Sequence, residues 1–203
     1  MLYFADPMCS WCWGFSPTLE KLKNHYENKI KIALVLGGLQ PGTKTGLDPA
    51  QRANILHHWK DVEKMTGQPF KTDGALPPGF IYDTEPSARA VLTIAEIRPQ
   101  SLLEYLKSVQ RAFYAEGRDI TREDVLLELA EMHGAGRIEF VSMFNSPEII
   151  KKTRMQFARA RQYLIQTLPS LVIQGEGKGI HHLMEGHKSY EDLVEEIDRW
   201  LAI

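Results

Sequence analysis

The stretch Met1-Leu-Tyr-Phe-Ala-Asp-Pro-Met-Cys-Ser-Trp-Cys-Trp-Gly-Phe15 decides the fold. Its first five residues are apolar and predict a short strand, Asp6-Pro7-Met8 predicts a turn, and the residues that follow predict a helix. Cys9 therefore stands at the N-terminus of a helix that follows a strand. Unpaired backbone N–H groups and the positive end of the helix dipole favour a thiolate there. Cys12 comes one helical turn later, within reach of Cys9 for a small disulfide ring.

The next segment predicts a strand–helix–strand unit. Helical spacing of apolar residues continues from Pro17 to Tyr26, and we expect the helix to end at Asn28-Lys29. Lys31 to Leu36 is an almost continuous apolar run that ends at Gly37-Gly38, which is typical of a strand buried on both faces. A parallel, right-handed crossover is the default connection between two such strands.

A long helical block follows, with three predicted cap sites. The block contains helices predicted over Pro49–Thr66, Pro86–Ile97, Gln100–Glu116, a segment from Val125, Ile138–Phe144 and Pro147–Tyr163. Asp48 and Ser146 are predicted N-caps, each followed by proline, and Thr121 is predicted to open a capping box. The loop Gly67–Thr84 is long and carries Phe70 and Phe80. It either closes over Cys9 or is a plain connector.

The strand pattern returns near the end of the chain. Leu168–Ile173 is apolar and β-branched, Gln174–Gly177 predicts a hairpin turn, and Lys178–Glu185 is predicted to pair back antiparallel. Ser189 is the predicted cap of a last helix, Tyr190–Leu201. The order is β-α-β, helices, then β-β-α. We therefore predict an α/β protein whose core domain comprises residues 1–42 and 166–203, with residues 43–165 as an inserted helical domain.

Composition and charge exclude several classes of function. The net charge of −2 and the absence of a basic run argue against nucleic acid as a partner. No apolar stretch approaches the roughly 20 residues that span a bilayer, so we expect no membrane partner. No basic leader with an apolar core precedes Tyr3, so a complete chain would be cytoplasmic. Both cysteines belong to one motif, which in a reducing compartment favours a catalytic or metal-binding pair over a structural disulfide.

Cys9-Ser10-Trp11-Cys12 after the first strand and Pro169 at the head of a later strand together resemble the thioredoxin superfamily. The long helical block between the second and third strands resembles that of the DsbA class of thiol-disulfide oxidoreductases. The resemblance implies a thioredoxin-like fold and disulfide exchange of the isomerase or reductase type. It implies that Cys9 is the attacking thiol, that Cys12 is the resolving thiol and that Pro169 follows a cis peptide bond.

The resemblance also implies roles for residues around the cysteines. The backbone of Leu168 would offer an edge to an extended peptide, as in strand addition. Ser10 and Trp11, between the cysteines, and Ser170, after the proline, are candidate supporting residues. The substrates would be disulfides of proteins or small thiols, and an external thiol reductant or oxidant would recycle the pair, with glutathione a candidate reductant. No other cofactor and no metal are expected.

The sequence departs from the family pattern at two positions. Strongly oxidising DsbA enzymes carry histidine just before the second cysteine, where this chain has Trp11. A neutral indole gives no ionic stabilisation to a thiolate, so we expect a less oxidising pair. The family often has a buried acid on the first strand, which is absent here. Asp6 on the turn is the nearest carboxylate and a candidate proton relay.

Three alternatives stay open from sequence. Kappa-class glutathione transferases and 2-hydroxychromene-2-carboxylate isomerases share the element order but typically have serine at the position of Cys9 and lack the second cysteine. A peptide-binding, chaperone-like module could use the same apolar surface. The cysteine pair could also be half of a zinc site, although the adjacent pairs His57-His58 and His181-His182 do not have the usual ligand spacing.

Overall fold

The computed structural model describes residues 1–27 and 29–202, so the helix end predicted at Asn28 lies outside the described residues. The described residues form β1 (Leu2–Ala5), α1 (Ser10–His25), β2 (Ala33–Leu36), α2 (Pro49–Thr66), α3 (Glu85–Ile97), α4 (Leu102–Tyr114), α5 (Glu123–Met132), α6 (Arg137–Phe144), α7 (Pro147–Gln162), β3 (Ser170–Gly175), β4 (Gly179–Glu185) and α8 (Tyr190–Ala202). This order confirms an α/β thioredoxin-like fold with helices α2 to α7, the helical block, between β2 and β3. Among these residues no helix combines the length and apolarity needed to cross a bilayer.

The four strands form one sheet in the order β2-β1-β3-β4. β1 pairs parallel with β2 and antiparallel with β3, and β3 and β4 form the predicted antiparallel hairpin. The expectation that β2 is buried on both faces is wrong for its first half, because Ala33 is exposed. β2 is an edge strand, and only its second half is covered, where Val35 shares an apolar cluster with Ala160 of α7.

Alternating side chains of β1 divide the core into two layers. Leu2 and Phe4 belong to the smaller cluster, under α7. Tyr3 and Ala5 belong to the larger cluster, which extends through α1 into the helical block without interruption. The N-terminus of α1 therefore lies between the sheet and the helical block, where side chains from both can reach it.

Three of the four predicted caps are confirmed. The side chains of Asp48, Ser146 and Ser189 each accept a hydrogen bond from the backbone N–H three residues later, at 2.8, 3.2 and 3.1 Å. The capping box at Thr121 is wrong. Its N–H and hydroxyl both donate to Asp119 Oδ1, at 3.0 and 2.6 Å, so the acid upstream takes the donors and α5 begins after Arg122 without a side-chain cap.

The loop between α2 and α3 packs against the core, and near its end it also reaches the cleft above Cys9. Phe70 and Phe80 are both buried in the main core. The Arg52 guanidinium of α2 donates to backbone carbonyls of residues 75 and 76, and Leu47 N–H donates to the Phe80 carbonyl at 2.9 Å. Tyr82, near the end of the loop, is the residue that reaches the candidate site.

Candidate active site

Cys9 is the N-cap residue of α1, as predicted. Its backbone is extended (φ −94°, ψ 114°), and its carbonyl accepts hydrogen bonds from the N–H groups of Cys12 and Trp13 at 3.0 and 3.2 Å. The turn before it is closed by a 3.1 Å bond from Cys9 N–H to the Asp6 carbonyl. The short apolar strand, the proline turn and the helix together fix the sulfur of Cys9 at the positive end of α1.

The two thiols are both free and differ in their surroundings. Cys12 is completely buried, whereas Cys9 is 5% exposed and lines a cleft. The sulfur of Cys9 is therefore at the floor of a cleft and not at an exposed helix end. Burial raises the pKa of the Cys12 thiol well above its usual value, and its hydrogen bond with Cys9 and the charge of Cys9 raise it further. Cys12 thus keeps its proton, whereas Cys9 borders the cleft.

The predicted proline segment lies against Cys9, although the two are far apart in sequence. The Leu168–Pro169 peptide bond is cis, and the Cys9 thiol donates to the Leu168 carbonyl oxygen at 3.5 Å. Ser170 is fully buried, and its hydroxyl donates to the Thr167 carbonyl at 2.6 Å. The structure thus places Leu168 next to the Cys9 sulfur. The Ser170 hydroxyl instead donates its hydrogen bond locally, to Thr167.

The cleft above Cys9 has a volume of about 430 Å³ and two walls. We call the thioredoxin wall the set of lining residues Met8, Cys9, Ser10, Trp11, Leu39, Gln40, Gln166, Thr167 and Leu168. We call the helical wall the set Asn54, Ile55, His58, Trp59 and Tyr82. The lining is apolar and aromatic with a few amide groups, and one histidine is its single titratable side chain besides Cys9 and Tyr82. This composition suits a neutral, extended peptide or thiol ligand.

Gly14 explains how the helical wall comes so close to the cysteines. A Cβ at this position of α1 would lie 2.8 Å from Cγ2 of Thr66 and 3.0 Å from Cγ1 of Val62, both on α2. The absence of a side chain lets the two helices approach closely. α2 consequently carries Trp59 to the edge of the active-site cleft.

Trp11 has two histidine neighbours that the sequence did not associate with it. Its half-buried ring lies 5.9 Å from the ring of His58, edge to face, and 5.8 Å from the ring of His187. The imidazole that the family places inside the Cys-x-x-Cys is replaced here by an indole, yet two imidazoles lie beside that indole. Among residues 1–27 and 29–202, no group of three or more His, Cys, Asp and Glu side chains is arranged to hold a metal ion.

Asp6 is completely buried at the turn between β1 and α1. Its Oδ1 accepts from Met8 N–H at 2.9 Å and its Oδ2 accepts from Leu39 N–H at 2.8 Å. Burial raises the pKa of this carboxyl to about 6, and the backbone hydrogen bonds offset part of that rise. A hydrogen bond from the Asp6 backbone lowers the pKa of the Cys12 thiol, and the charge of the Asp6 carboxylate raises that pKa to a smaller extent. Asp6 stays a candidate proton acceptor for Cys12.

Two tyrosines lie near the dithiol, and no sequence pattern predicted either of them at this site. Tyr3 of β1 is buried, and desolvation together with the charges of Cys12 and Cys9 raises its pKa well above the usual value. The Tyr82 hydroxyl donates to the carbonyl of Met8 at 2.7 Å, next to Cys9. Tyr3 belongs to a strand and Tyr82 to a loop, and local sequence pattern does not predict that either side chain lies near the cysteines. Their positions depend on how distant segments of the chain pack together.

Comparison with known proteins agrees with this geometry. The family model of the DSBA-like thioredoxin domain matches residues 2–198. A crystal structure from Nitrosomonas europaea, provisionally assigned as a protein disulfide isomerase, superimposes with a TM-score of 0.93 at 38% identity, over 99% of this chain and 96% of that one. The cytosolic disulfide reductase DsbM from Pseudomonas aeruginosa, solved with GSH, gives a TM-score of 0.76 at 27% identity, over 100% and 98% of the two chains.

A further relative has a different assigned role. The ClpXP adapter protein SpxH of Halalkalibacterium halodurans is 24% identical over 209 residues, which cover 98% of this chain. The chain spans only 66% of the length of that protein. Likeness at this level is consistent with a shared domain, and the match of the family model over nearly the whole sequence is decisive. The chain belongs to the DSBA-like thioredoxin domain family.

Proposed function

We propose that this protein is a thiol-disulfide oxidoreductase of the reductase or isomerase type that uses Cys9 and Cys12 as its dithiol. The observation that carries the proposal is the position of the Cys9 sulfur. It stands at the N-terminus of α1, at the floor of an open cleft and 3.5 Å from the Leu168 carbonyl, with Cys12 buried one turn behind it. In this arrangement Cys9 is accessible to a substrate from the cleft, and Cys12 is positioned to attack the resulting mixed disulfide.

The reaction follows from the unequal environments of the two thiols. The Cys9 thiolate attacks one sulfur of a substrate disulfide, the substrate S–S bond breaks, and the departing thiolate takes a proton from solvent. Cys12 then loses its proton and attacks the Cys9 sulfur, which breaks the mixed disulfide. The products are a Cys9–Cys12 disulfide and a reduced substrate, so two electrons pass from the dithiol to the substrate.

The second step needs a proton acceptor, because burial keeps Cys12 protonated. Asp6 is the buried carboxylate whose charge acts on the Cys12 thiol, and its pKa of about 6 leaves it mostly ionised at neutral pH. We assign Asp6 the role of accepting the Cys12 proton as the mixed disulfide is resolved. A base with a pKa near the working pH is effective in such a transfer.

Substrate would lie along the cleft as an extended segment. Leu168, beside the attacking sulfur, lines the cleft, where its backbone would pair with a peptide, and the Trp11 ring would add an apolar contact. Ser10 lines the same cleft, and Pro169 directly follows Leu168 in the segment beside Cys9. The substrates we propose are disulfides of proteins or of small thiols.

Glutathione is the reductant we propose. One glutathione thiolate attacks the Cys9–Cys12 disulfide, and a second attacks the resulting mixed disulfide, which yields the dithiol and oxidised glutathione. The DsbM structure with GSH at 27% identity supports this choice, and a reducing cytoplasm is the compartment that would supply the thiol. The chain offers no second cysteine pair for internal recycling, since it contains two cysteines in all.

A second candidate function is protein capture without redox chemistry. The SpxH relatives are named as adapters, and the largely apolar cleft lining is compatible with holding a peptide segment. The two functions differ in their dependence on sulfur. A Cys9→Ser variant would keep the binding of a cysteine-free peptide if the protein is an adapter, and would lose all disulfide exchange if it is an oxidoreductase.

A redox titration against glutathione tests the proposed function. The fluorescence of Trp11 and Trp13, which flank Cys12, follows the state of the pair. A potential near the roughly −270 mV of thioredoxin indicates a reductase, and one between about −180 and −120 mV indicates an isomerase or oxidase. A Cys12→Ser variant should accumulate a mixed disulfide on Cys9, whereas Cys9→Ser should not. Absence of any transition in the wild-type protein would refute the proposal.

A further inference from the structure

Arginine side chains have partners throughout the described part of the chain, except on α7. Of the eleven arginines, seven form ion pairs with carboxylates, and Arg52 donates to backbone carbonyls of the loop before α3. The others are Arg154, Arg159 and Arg161, all of them exposed on α7. Within residues 1–27 and 29–202, these side chains form neither an ion pair nor a hydrogen bond.

α7 concentrates positive charge in a chain whose net charge is −2. The helix carries five basic residues and one acidic residue. Lys152 pairs with Glu148 at 2.9 Å and with Glu96 of α3 at 3.1 Å, so its charge is balanced locally. The other cations lie on the solvent side of the helix. We call the α7 face the exposed side chains Lys151, Arg154, Met155, Arg159 and Arg161.

A groove of about 640 Å³ lies between the α7 face and α3. Its apolar lining includes Leu92 of α3, Met155 of α7 and Tyr163 at the end of α7. Met155 is 59% exposed, so most of its surface is still in contact with solvent. Arg159 lines the groove as well, and its guanidinium lies 6.0 Å from the centre of the Tyr163 ring. The groove therefore combines an apolar lining with a cation.

Gln156 gives an independent indication that this groove holds a ligand. It lines the groove, and its side-chain oxygen is buried without a hydrogen-bond partner among the described residues. A buried acceptor without a donor is unfavourable, so such groups are usually paired. The backbone N–H of a bound peptide segment is a donor of the required kind.

We propose that the α7 face and the groove beside it bind an acidic segment of a partner protein. Its carboxylates would pair with Arg154, Arg159 and Arg161, because guanidinium–carboxylate pairs are charge-assisted and specific in geometry. An apolar side chain of the segment would occupy the groove, and a backbone N–H would donate to Gln156. A nucleic acid suits this surface less well, because carboxylates of α3 and α7 lie among the cations and would repel phosphates.

The proposed docking surface is separate from the active site. The residues that line the cleft above Cys9 come from segments other than α7. A partner on the α7 face would therefore leave the cleft open to a disulfide substrate. This inference goes beyond the proposed function and does not depend on it.

The experiment measures the fluorescence anisotropy of a labelled peptide made of Glu, Leu and Ala. The wild-type protein should bind it at low ionic strength, and added salt should weaken binding by screening the charges. Arg154→Ala, Arg159→Ala and Arg161→Ala combined should weaken binding by about tenfold or more, because each exposed ion pair contributes up to about fivefold. Met155→Gln should weaken it by about two- to fivefold through loss of apolar contact.

A second triple variant is the matched control. Lys44→Ala, Lys60→Ala and Lys64→Ala combined remove the same charge from exposed positions elsewhere, so this protein should bind the peptide like the wild type. Equal affinities of the two triple variants would overturn the inference. No binding of the acidic peptide by the wild type would also overturn it, as would tighter binding of a single-stranded oligothymidylate or of the same peptide with Lys for Glu.

Exchange of hydroxyethyl disulfide, measured in the same proteins, separates this inference from the proposed function. The rate should be the same in the wild type and in both triple variants. A wild-type protein that binds the acidic peptide but shows no exchange would refute the dithiol proposal alone and leave the docking surface supported.

Discussion

The two walls of the cleft differ in what they bring to the same sulfur. The thioredoxin wall supplies Cys9 and backbone groups such as the Leu168 carbonyl, and its key residues are set by one local motif and one proline. The helical wall supplies side chains, including an imidazole, an amide and two aromatic rings, and no motif marks them. The comparison teaches that the exchange chemistry is encoded locally, whereas the environment in which it occurs is encoded by packing across the whole chain.

The largest effect should come from breaking the helical wall at Trp59. This side chain is 1% exposed and packs edge to face on Phe113 at 5.4 Å and Tyr114 at 5.0 Å. Trp59→Ala should lower the free energy of unfolding by about 3–5 kcal/mol, because it leaves a large cavity. Urea unfolding measures this, with the exposed neighbour Lys60→Ala as control. A loss equal to that of the control would show that the helical wall is not part of the core.

On the thioredoxin wall, Asp6→Asn should change stability in a pH-dependent way. The fold raises the Asp6 pKa from an ordinary value of 3.8 to about 6, so the folded protein retains a proton that the unfolded chain has lost. Wild-type stability should therefore fall relative to the variant as pH rises from about 4 to 7. The full difference is about 3 kcal/mol or less.

The measurement is urea unfolding of both proteins across that pH range. Asp73→Asn, at an exposed position of the loop between α2 and α3, is the control and should give parallel curves. Asparagine also loses one acceptor for the two N–H donors on Asp6, which lowers the variant's stability at every pH and leaves the slope unaffected. A stability difference between wild type and Asp6→Asn that does not vary with pH would contradict a buried carboxyl that titrates near 6.

Trp11→His tests whether the dipeptide between the cysteines sets the potential. An imidazolium just before Cys12 would stabilise the Cys9 thiolate, so the glutathione equilibrium should move toward the reduced protein by about tenfold, equivalent to about 30 mV. Trp11→Phe keeps a neutral ring and should stay near wild type. An unchanged potential in Trp11→His would mean that the helical wall, and not the motif, controls the redox balance.

The smallest effect should come from His58, which contacts Trp11 across the cleft. His58→Ala removes an aromatic contact of about 0.5–1.5 kcal/mol, so KM for a peptide disulfide should rise about two- to tenfold with kcat unchanged. His57→Ala is the matched control, because His57 precedes it on α2 but lies outside the cleft lining and pairs with Asp61. Equal KM values for the two variants would remove His58 from substrate recognition.

Sequence reasoning could predict the parts of this molecule that depend on neighbouring residues. The strand, turn and helix around Cys9, the N-caps at Asp48 and Ser146, and the hairpin before α8 all follow from local pattern and are found in the structure. The division into domains of residues 1–42 with 166–203 and 43–165 stays a prediction. The large apolar cluster runs through both parts.

The remaining features of the site are contacts between residues that are far apart in the sequence, and local sequence pattern does not encode such contacts. His58 meets Trp11 only because Gly14 allows α2 to approach α1, and the Tyr82 contact with Met8 spans 74 residues. The same limit explains the wrong capping box, where Asp119 competes for the Thr121 donors. No sequence motif distinguishes His58 or Tyr82 from the other histidines and tyrosines of the chain, since their positions in the site arise from tertiary packing.

The packed loop of residues 67–84 has a consequence for engineering of the chain. Its prolines and glycines would make it a first choice for inserting a tag or opening new termini. Phe70 is buried within it, and the Arg52 guanidinium and Leu47 N–H hold its backbone, so an insertion there would disturb the core and displace Tyr82 from the cleft. The exposed turn at Glu176–Lys178, between β3 and β4, is the position that should accept a graft.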